Sequence, residues 1–409
     1  MSFARRYIER NISQELFIPE PLASDLSMVV VIPACCEPDL LHTIDSLSGC
    51  TPPMGSVEVL VLLNEAEDCS VEVRRQNDRS LADLVAWKSR NPQALFNLYP
   101  LRPRPFPKKH AGAGLARKTG MDEAIRRFQQ VDHPAGILVS LDADTLVEPN
   151  YLVEIEQCFA SDERPIGATI QFKHRLAEIA DERHRAGMRL YETYLHYYKQ
   201  ALAFTGFPHA IYTVGSAFAV RADAYVKQGG MSKRQAGEDF YFLHKLTQLG
   251  TVAEINSTCV YPSARLSDRV PFGTGPALQK WVNGDDRLLQ TYRFQSFLDL
   301  KDFLKLLPHL YKTVVDRADL EKLPVSDAVR LFLFEDRFPE SLAEIKRNSS
   351  SFKTFEKRFY QYFNAFKILK FQNFSHPRFY AFQDLEEAFC QLKEANGRGC
   401  KVELALCYD

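Results

Sequence analysis

The run Ile137-Leu138-Val139-Ser140-Leu141, followed at once by Asp142-Ala143-Asp144, restricts this chain more than any other stretch of it. A short, nearly continuous apolar run suits a strand covered on both faces. Two carboxylates one residue apart at the mouth of such a strand repel each other and are costly to desolvate, so a cation is their natural neighbour. Mg²⁺ or Mn²⁺ held by hard oxygens, with a phosphate completing the coordination, meets that demand. So does the plainer reading, a polar strand end whose Asp residues cap the next turn. An EF-hand loop is excluded, because its sixth and twelfth positions need Gly and Glu and here are Val147 and Val153.

The same kind of signal recurs upstream. MVVVIP at 28–33 and VEVLVLL at 57–63 are apolar bursts that end in polar residues, and each is followed by a helical pattern, the first with Leu40, Leu41, Ile44 and Leu47 at helical spacing. ALFNLYP at 94–100 is a third candidate strand and enters a proline-rich, cationic connection. Helices are expected at 149–160, opened by Pro149, and at about 176–204, with a strand at 165–172 between them. Alternation of strand and helix predicts an α/β fold with a mostly parallel sheet flanked by helices. From about residue 276 the strand signals stop, and an all-helical C-terminal extension is expected.

Charge excludes one function class. The chain has 51 Lys and Arg against 52 Asp and Glu, a balance that argues against a dedicated nucleic-acid binder. The N-terminal residues are charged throughout and do not resemble a signal peptide, and no apolar run reaches the ~18 residues of a membrane span. Nine cysteines without any Cys-x-x-Cys spacing read as reduced thiols of a cytoplasmic protein.

Three further segments bear chemistry. AGAGLARKTG at 111–120 invites two nucleotide motifs and satisfies neither. Lys118-Thr119 precede Gly120, the wrong order for a P-loop, and Arg117 stands where a dinucleotide fingerprint needs Gly or Ala. What remains is a helix start with Arg117 and Lys118, which either faces an anionic phosphate or forms a solvated basic face. Gly237-Glu238-Asp239 stands at the head of another apolar-patterned helix. Its acids are either dipole partners or a carboxylate held to take a proton. The loop with Arg265, Asp268, Arg269 and Gly273-Thr274-Gly275 either closes over a phosphate or is a simple connection. Aromatic stripes at 190–202 and 352–369 read first as core. The first has acceptor binding as its alternative reading, and the second, with its several Lys and Arg, contact with an anionic membrane surface.

Taken in order, VVVIPACCEPD, a second strand ending in a polar pair, GAGLARKTG, LDAD and GED resemble the inverting family 2 glycosyltransferases of the GT-A fold. The resemblance implies a glycosyltransferase domain over 28–275, preceded by a segment at 1–27 and followed by the helical extension 276–409. It implies that Pro33, Ala34, Glu37, Asn64, Arg117, Lys118 and Asp142 contact a nucleotide-sugar donor, to which the loop reading adds Arg269 as cationic support. It further implies that Asp144 and Asp142 bind Mg²⁺ or Mn²⁺, and that Asp239, with Glu238 beside it, is the general base. The acceptor would be a hydroxyl of a saccharide or lipid-linked molecule, with peripheral contact to the inner face of a membrane as an option. Rival readings on the same sheet are a retaining enzyme, a sugar nucleotidyltransferase and a non-catalytic sugar-nucleotide-binding protein. The chain departs from the family pattern at Cys35-Cys36, at Asn64-Glu65-Ala66-Glu67, and in lacking Gln-x-x-Arg-Trp, which argues against a processive polymerase.

Overall fold

The computed structural model describes residues 2–12, 16–161, 164–235, 237–267 and 273–398. The chain divides into two compact units, one from Met1–Ile179 and Thr213–Pro276, the other from Ala180–Tyr212 and Ala277–Asp409.

The first unit opens with α1 (Arg5–Asn11), β1 (Leu26–Ala34), α2 (Leu40–Ser48), β2 (Ser56–Leu63), α3 (Val71–Arg90), β3 (Phe96–Leu101) and α4 (Ala113–Gln130). It continues through β4 (Ile137–Ser140), β5 (Leu146–Val147), α5 (Tyr151–Ala160) and β6 (Gly167–Phe172). Helix α6 (Glu182–Phe204) belongs to the other unit, and the chain then returns as β7 (Phe218–Arg221), α7 (Ala222–Gln228), α8 (Glu238–Leu246) and β8 (Val252–Tyr261). The strands form a sheet in the order β3-β2-β1-β4-β7-β6-β8-β5. Neighbours β3/β2, β2/β1, β1/β4 and β6/β8 run parallel, whereas β7 pairs antiparallel with both β4 and β6, and β5 with β8.

The apolar runs have become the strands they predict. Val29 to Ile32 in β1, Val59 to Leu63 in β2 and Leu138-Val139 in β4 are wholly buried, as expected of central strands covered on both sides. β1 is paired with β2 on one side and β4 on the other, with Val31 opposite both Leu60 and Ser140. Strand order reverses here, so the carboxyl ends of β1 and β4 flank the crevice where open α/β sheets bind ligands. α1, α7 and β5 are elements that the sequence pattern did not foretell, each too short to show a period.

The second unit contains α6, most of α9 (Thr274–Val282), and the C-terminal elements β9 (Gln290–Thr291), α10 (Phe294–Lys305), α11 (Leu307–Lys312), α12 (Arg317–Lys322), α13 (Asp327–Glu335) and α14 (Phe338–Arg347). These lead to α15 (Phe352–Tyr362), α16 (Ala365–Ser375), β10 (Gln383–Asp384) and α17 (Leu385–Ala395), with β9 and β10 forming a two-residue antiparallel pair. Both aromatic stripes are core. Leu190, Tyr197 and Leu202 of α6 are buried, and Tyr197 meets Phe297 and Phe389 edge-on. Phe355, Phe359 and Phe363 pack with Phe303 and Phe338, so this stripe faces protein. The helix expected through 352–369 is broken, because the Asn364 side chain accepts from the Lys367 amide and starts α16 afresh. Cys35, Cys36, Cys50, Cys69, Cys158 and Cys259 are not disulfide-bonded. Cys390 is disulfide-bonded, which corrects the reading of all the cysteines as reduced.

Candidate active site

The turn that follows β4 is fixed from several directions. The Thr145 amide donates to the Asp142 carbonyl at 3.2 Å, and from α2 the Thr43 hydroxyl donates to the Ala143 carbonyl at 2.9 Å. Ala143 is buried while Asp142 and Asp144 keep 36% and 24% of their side chains exposed, so the two carboxylates stand on either side of an anchored backbone.

Asp142 is tied to α4 and α8. Arg117 on α4 is 2% exposed, donates from Nη2 to Asp142 Oδ1 at 2.5 Å, and bonds through Nη1 to buried Glu238 in the first turn of α8. Asp239 adjoins this pair. A Cβ on Gly215 would lie 3.0 Å from Arg117 Nη2 and 3.3 Å from Asp239 Oδ2, so both side chains rest against that glycine. Ser140, the last residue of β4, holds the Gly215 carbonyl at 2.6 Å. Burial, first, and the neighbouring Glu238 charge push the Asp239 carboxyl up to about 7, against a smaller downward pull from Arg117. Its Oδ1 accepts from the Phe240 amide at 2.7 Å.

The glycine at 114 has a packing reason and needs no phosphate to explain it. A Cβ there would fall 2.1 Å from the Arg234 carbonyl and 3.1 Å from Glu238 Cγ, so only a bare Cα lets the segment leading into α8 come near enough for Glu238 to reach Arg117. Gly114→Ala is therefore expected to lower stability by about 1–3 kcal/mol as an overpacking change, read as a fall in denaturant midpoint. A midpoint equal to wild type would mean that this approach is not tight.

Asp144 belongs to a second cluster. Arg265, in the loop after β8, bonds Glu37 through both terminal nitrogens, Nη1 to Oε1 at 2.6 Å, and reaches Asp144 Oδ2 at 3.1 Å and Asp39 Oδ2 at 3.7 Å. Glu37 is only 3% exposed. Pro33, Ala34 and Asn64 form a third group at the adjoining ends of β1 and β2, where the Asn64 amide donates to the Ala34 carbonyl at 2.9 Å. Asn77 of α3 braces it, accepting from the Cys36 amide and donating to the Asn64 carbonyl, each at 3.0 Å.

Lys118 does not join these residues. It pairs with Asp122 at 2.6 Å, in a buried knot where the Tyr7 and Tyr225 hydroxyls also donate to Asp122, at 2.8 and 2.9 Å. Consecutive helix residues point about 100° apart, so Arg117 and Lys118 face different neighbours. Lys118, expected at a donor phosphate, instead links α4 to the N-terminal helix through Asp122 and Tyr7. Arg117 likewise faces carboxylates in place of the expected phosphate. Arg269 lies outside the described residues. Asn77 and Gly215 are residues that sequence reasoning did not assign to the site, and Arg265 was read only as part of a loop that could close over a phosphate. Neither Asn77 nor Gly215 carries a local chemical signal, since an amide in a helix and a lone glycine are ordinary in sequence.

Among the described residues no group of three or more His, Cys, Asp or Glu could by itself hold an ion. Asp142 and Asp144 nevertheless fit part of one. Both are hard-oxygen donors reachable from solvent, and each is already engaged by a guanidinium, so the place accommodates positive charge. The remaining ligands would have to be phosphate oxygens.

The crevice where strand order reverses is where open α/β sheets take their ligands, and the acidic and basic clusters at the ends of β1 and β4 lie there. Residues 137–315, which begin at β4, match the family described as Glycosyl transferase family group 2. Among solved structures, TarS of S. aureus in complex with UDP-GlcNAc is 13% identical, the match covering 78% of this chain and 91% of that one at a TM-score of 0.43. The mannosyltransferase PcManGT from Pyrobaculum calidifontis, in complex with GDP-Man and Mn²⁺, is 12% identical, covering 88% and 92% at a TM-score of 0.39. No curated protein matches the chain in sequence. Among the described residues, no helix is long and apolar enough to cross a membrane.

Proposed function

We propose that this glycosyltransferase moves a sugar from a nucleotide-diphosphate donor to an acceptor hydroxyl by one in-line displacement with inversion. The observation that carries this reading is the contact of Asp142, Arg117 and Glu238 in one cluster with Asp239, whose carboxyl is raised toward neutrality. Asp239 takes the hydroxyl proton as the acceptor oxygen bonds the anomeric carbon, and the carbon–phosphate oxygen bond breaks with its electrons leaving on the nucleoside diphosphate. Glu238 and Arg117 hold the base against Gly215 and Asp142. Pro33, Ala34, Asn64 and Glu37, at the ends of β1 and β2, frame the nucleotide. Asp144 and Asp142 would hold Mg²⁺ or Mn²⁺ together with the diphosphate, and the ion supplies Lewis-acid stabilisation of the leaving group. The cytoplasmic assignment rests on the six described cysteines that stay outside disulfides, Cys390 being the exception.

The test is a survey of nucleotide sugars and acceptors with Mn²⁺ present, scored by release of nucleoside diphosphate and by the anomeric configuration of the product. Inverted product is expected. Retained configuration, or pyrophosphate in place of nucleoside diphosphate, would replace the mechanism. Chelation by EDTA should remove turnover and excess Mn²⁺ restore it, whereas an unchanged rate after chelation would remove the metal from the reading.

A further inference from the structure

We infer that Asn77 of α3 is a positioning residue for the donor nucleotide: its buried carboxamide ties the ends of β1 and β2 together and fixes the turn at Cys36, and through them it sets nucleotide affinity without touching the nucleotide. The inference rests on the placement of the nucleotide at these strand ends, proposed above, and adds the residue that shapes that place.

Asn77 is wholly buried, and its amide group is used on both sides. Oδ1 accepts from the Cys36 amide at 3.0 Å, while Nδ2 donates to the Asn64 carbonyl at 3.0 Å and more weakly to Glu65 Oε2 at 3.4 Å. A carboxamide suits this position because it accepts and donates at once. A carboxylate would lack the donor, and an apolar group would offer neither. The Asn64 amide in turn donates to the Ala34 carbonyl at 2.9 Å, which links Ala34, Asn64, Asn77 and Cys36 in one chain of bonds. One turn further along α3, the Ser80 hydroxyl donates to the Glu37 carbonyl at 3.4 Å. The helix therefore holds two consecutive residues of the loop after β1 by their backbone.

The need for this grip lies in Cys36 itself. Its φ is 51°, in the left-handed region that a residue with a Cβ enters only at a cost. The chain turns there from Pro33 and Ala34 toward Glu37. Without the bond to Asn77, Cys36 gains by returning to negative φ, and the turn leaves the position that frames the nucleotide.

The experiment is calorimetric titration of the full chain with UDP, GDP, ADP and CDP in turn, with Mn²⁺ present throughout. Asn77→Ala is expected to bind the preferred nucleotide about tenfold more weakly than wild type, a loss on the scale of one buried hydrogen bond. Cys36→Val places a β-branched residue where positive φ is required and should show a similar loss with Asn77 intact, so it carries the test where Asn77→Ala misfolds. Cys36→Asn in the Asn77→Ala background should recover most of the affinity, because Asn takes up the left-handed conformation more readily than Cys. A merely structural Asn77 would lower the unfolding midpoint and leave the affinity of the folded protein at the wild-type value, which overturns the inference. So does wild-type affinity in Cys36→Val, or a loss in Asn77→Ala that Cys36→Asn fails to recover. Failure of the nucleotide reading looks different, since wild type would then bind none of the four and the inference would fall with it.

Discussion

Asp239→Asn is expected to lower turnover by about 10²–10⁴-fold, the range over which a positioned acid–base group contributes, while leaving donor affinity within a factor of about two. The pH profile carries the argument further. A base must be ionised to take a proton, and burial beside Glu238 puts the Asp239 carboxyl at about 7. The ionised fraction is then about a tenth at pH 6 and about nine-tenths at pH 8, so the wild-type rate should climb through neutrality and level off above it. The residual rate of the Asn variant should lack that rise. Stability runs the other way. A carboxyl raised in the folded state holds its proton where the unfolded chain has released it, so between about pH 4 and pH 7 the folded state binds more protons and stability falls as pH rises. Asn removes that loss, and the variant should be no less stable than wild type at pH 8. Turnover like that of wild type, or a rise through neutrality that persists in the variant, would take Asp239 out of the role.

The sheet was legible because its central strands are covered on both faces and must be apolar throughout. The same double coverage made 137–141 readable, with Asp142 and Asp144 marking where the strand meets solvent. Partner choice was not legible. Arg117 and Lys118 look alike as a basic pair, and only the helix they share, with Glu238 on one side and Asp122 on another, gives them different neighbours. Arg265 could be seen as a cation in a glycine-hinged loop, but its contact with Glu37 spans 228 positions of sequence, beyond any local pattern. Helix α6 was legible with its Leu and Tyr stripe, but the residues that complete that stripe were not, because they come from α10 and α17 of the same unit, far later in the chain.

Arg117→Met should have the largest effect on stability. The guanidinium is buried between two carboxylates, so its removal leaves Glu238, only 5% exposed in its side chain, as an uncompensated charge beside Asp239. Breaking a buried pair on one side typically costs about 3–5 kcal/mol, and part of the Asp142 contribution is screened by solvent, so a loss near the lower end, about 3 kcal/mol, is expected in denaturant titration. Arg117 is also what pulls the Asp239 carboxyl down, and without it the rate profile should move to higher pH, with lower turnover at neutrality. A second change separates the two consequences. Glu238→Gln in the Arg117→Met background removes the stranded charge and should recover much of the stability, the non-additivity expected of residues in one network. Activity should stay low, because Asp239 has lost the contacts that hold it against Gly215 and Asp142. Full recovery of turnover in the double variant would show that Arg117 and Glu238 serve only to stabilise the fold, and an unchanged unfolding midpoint in Arg117→Met would show that the buried pair contributes nothing at all.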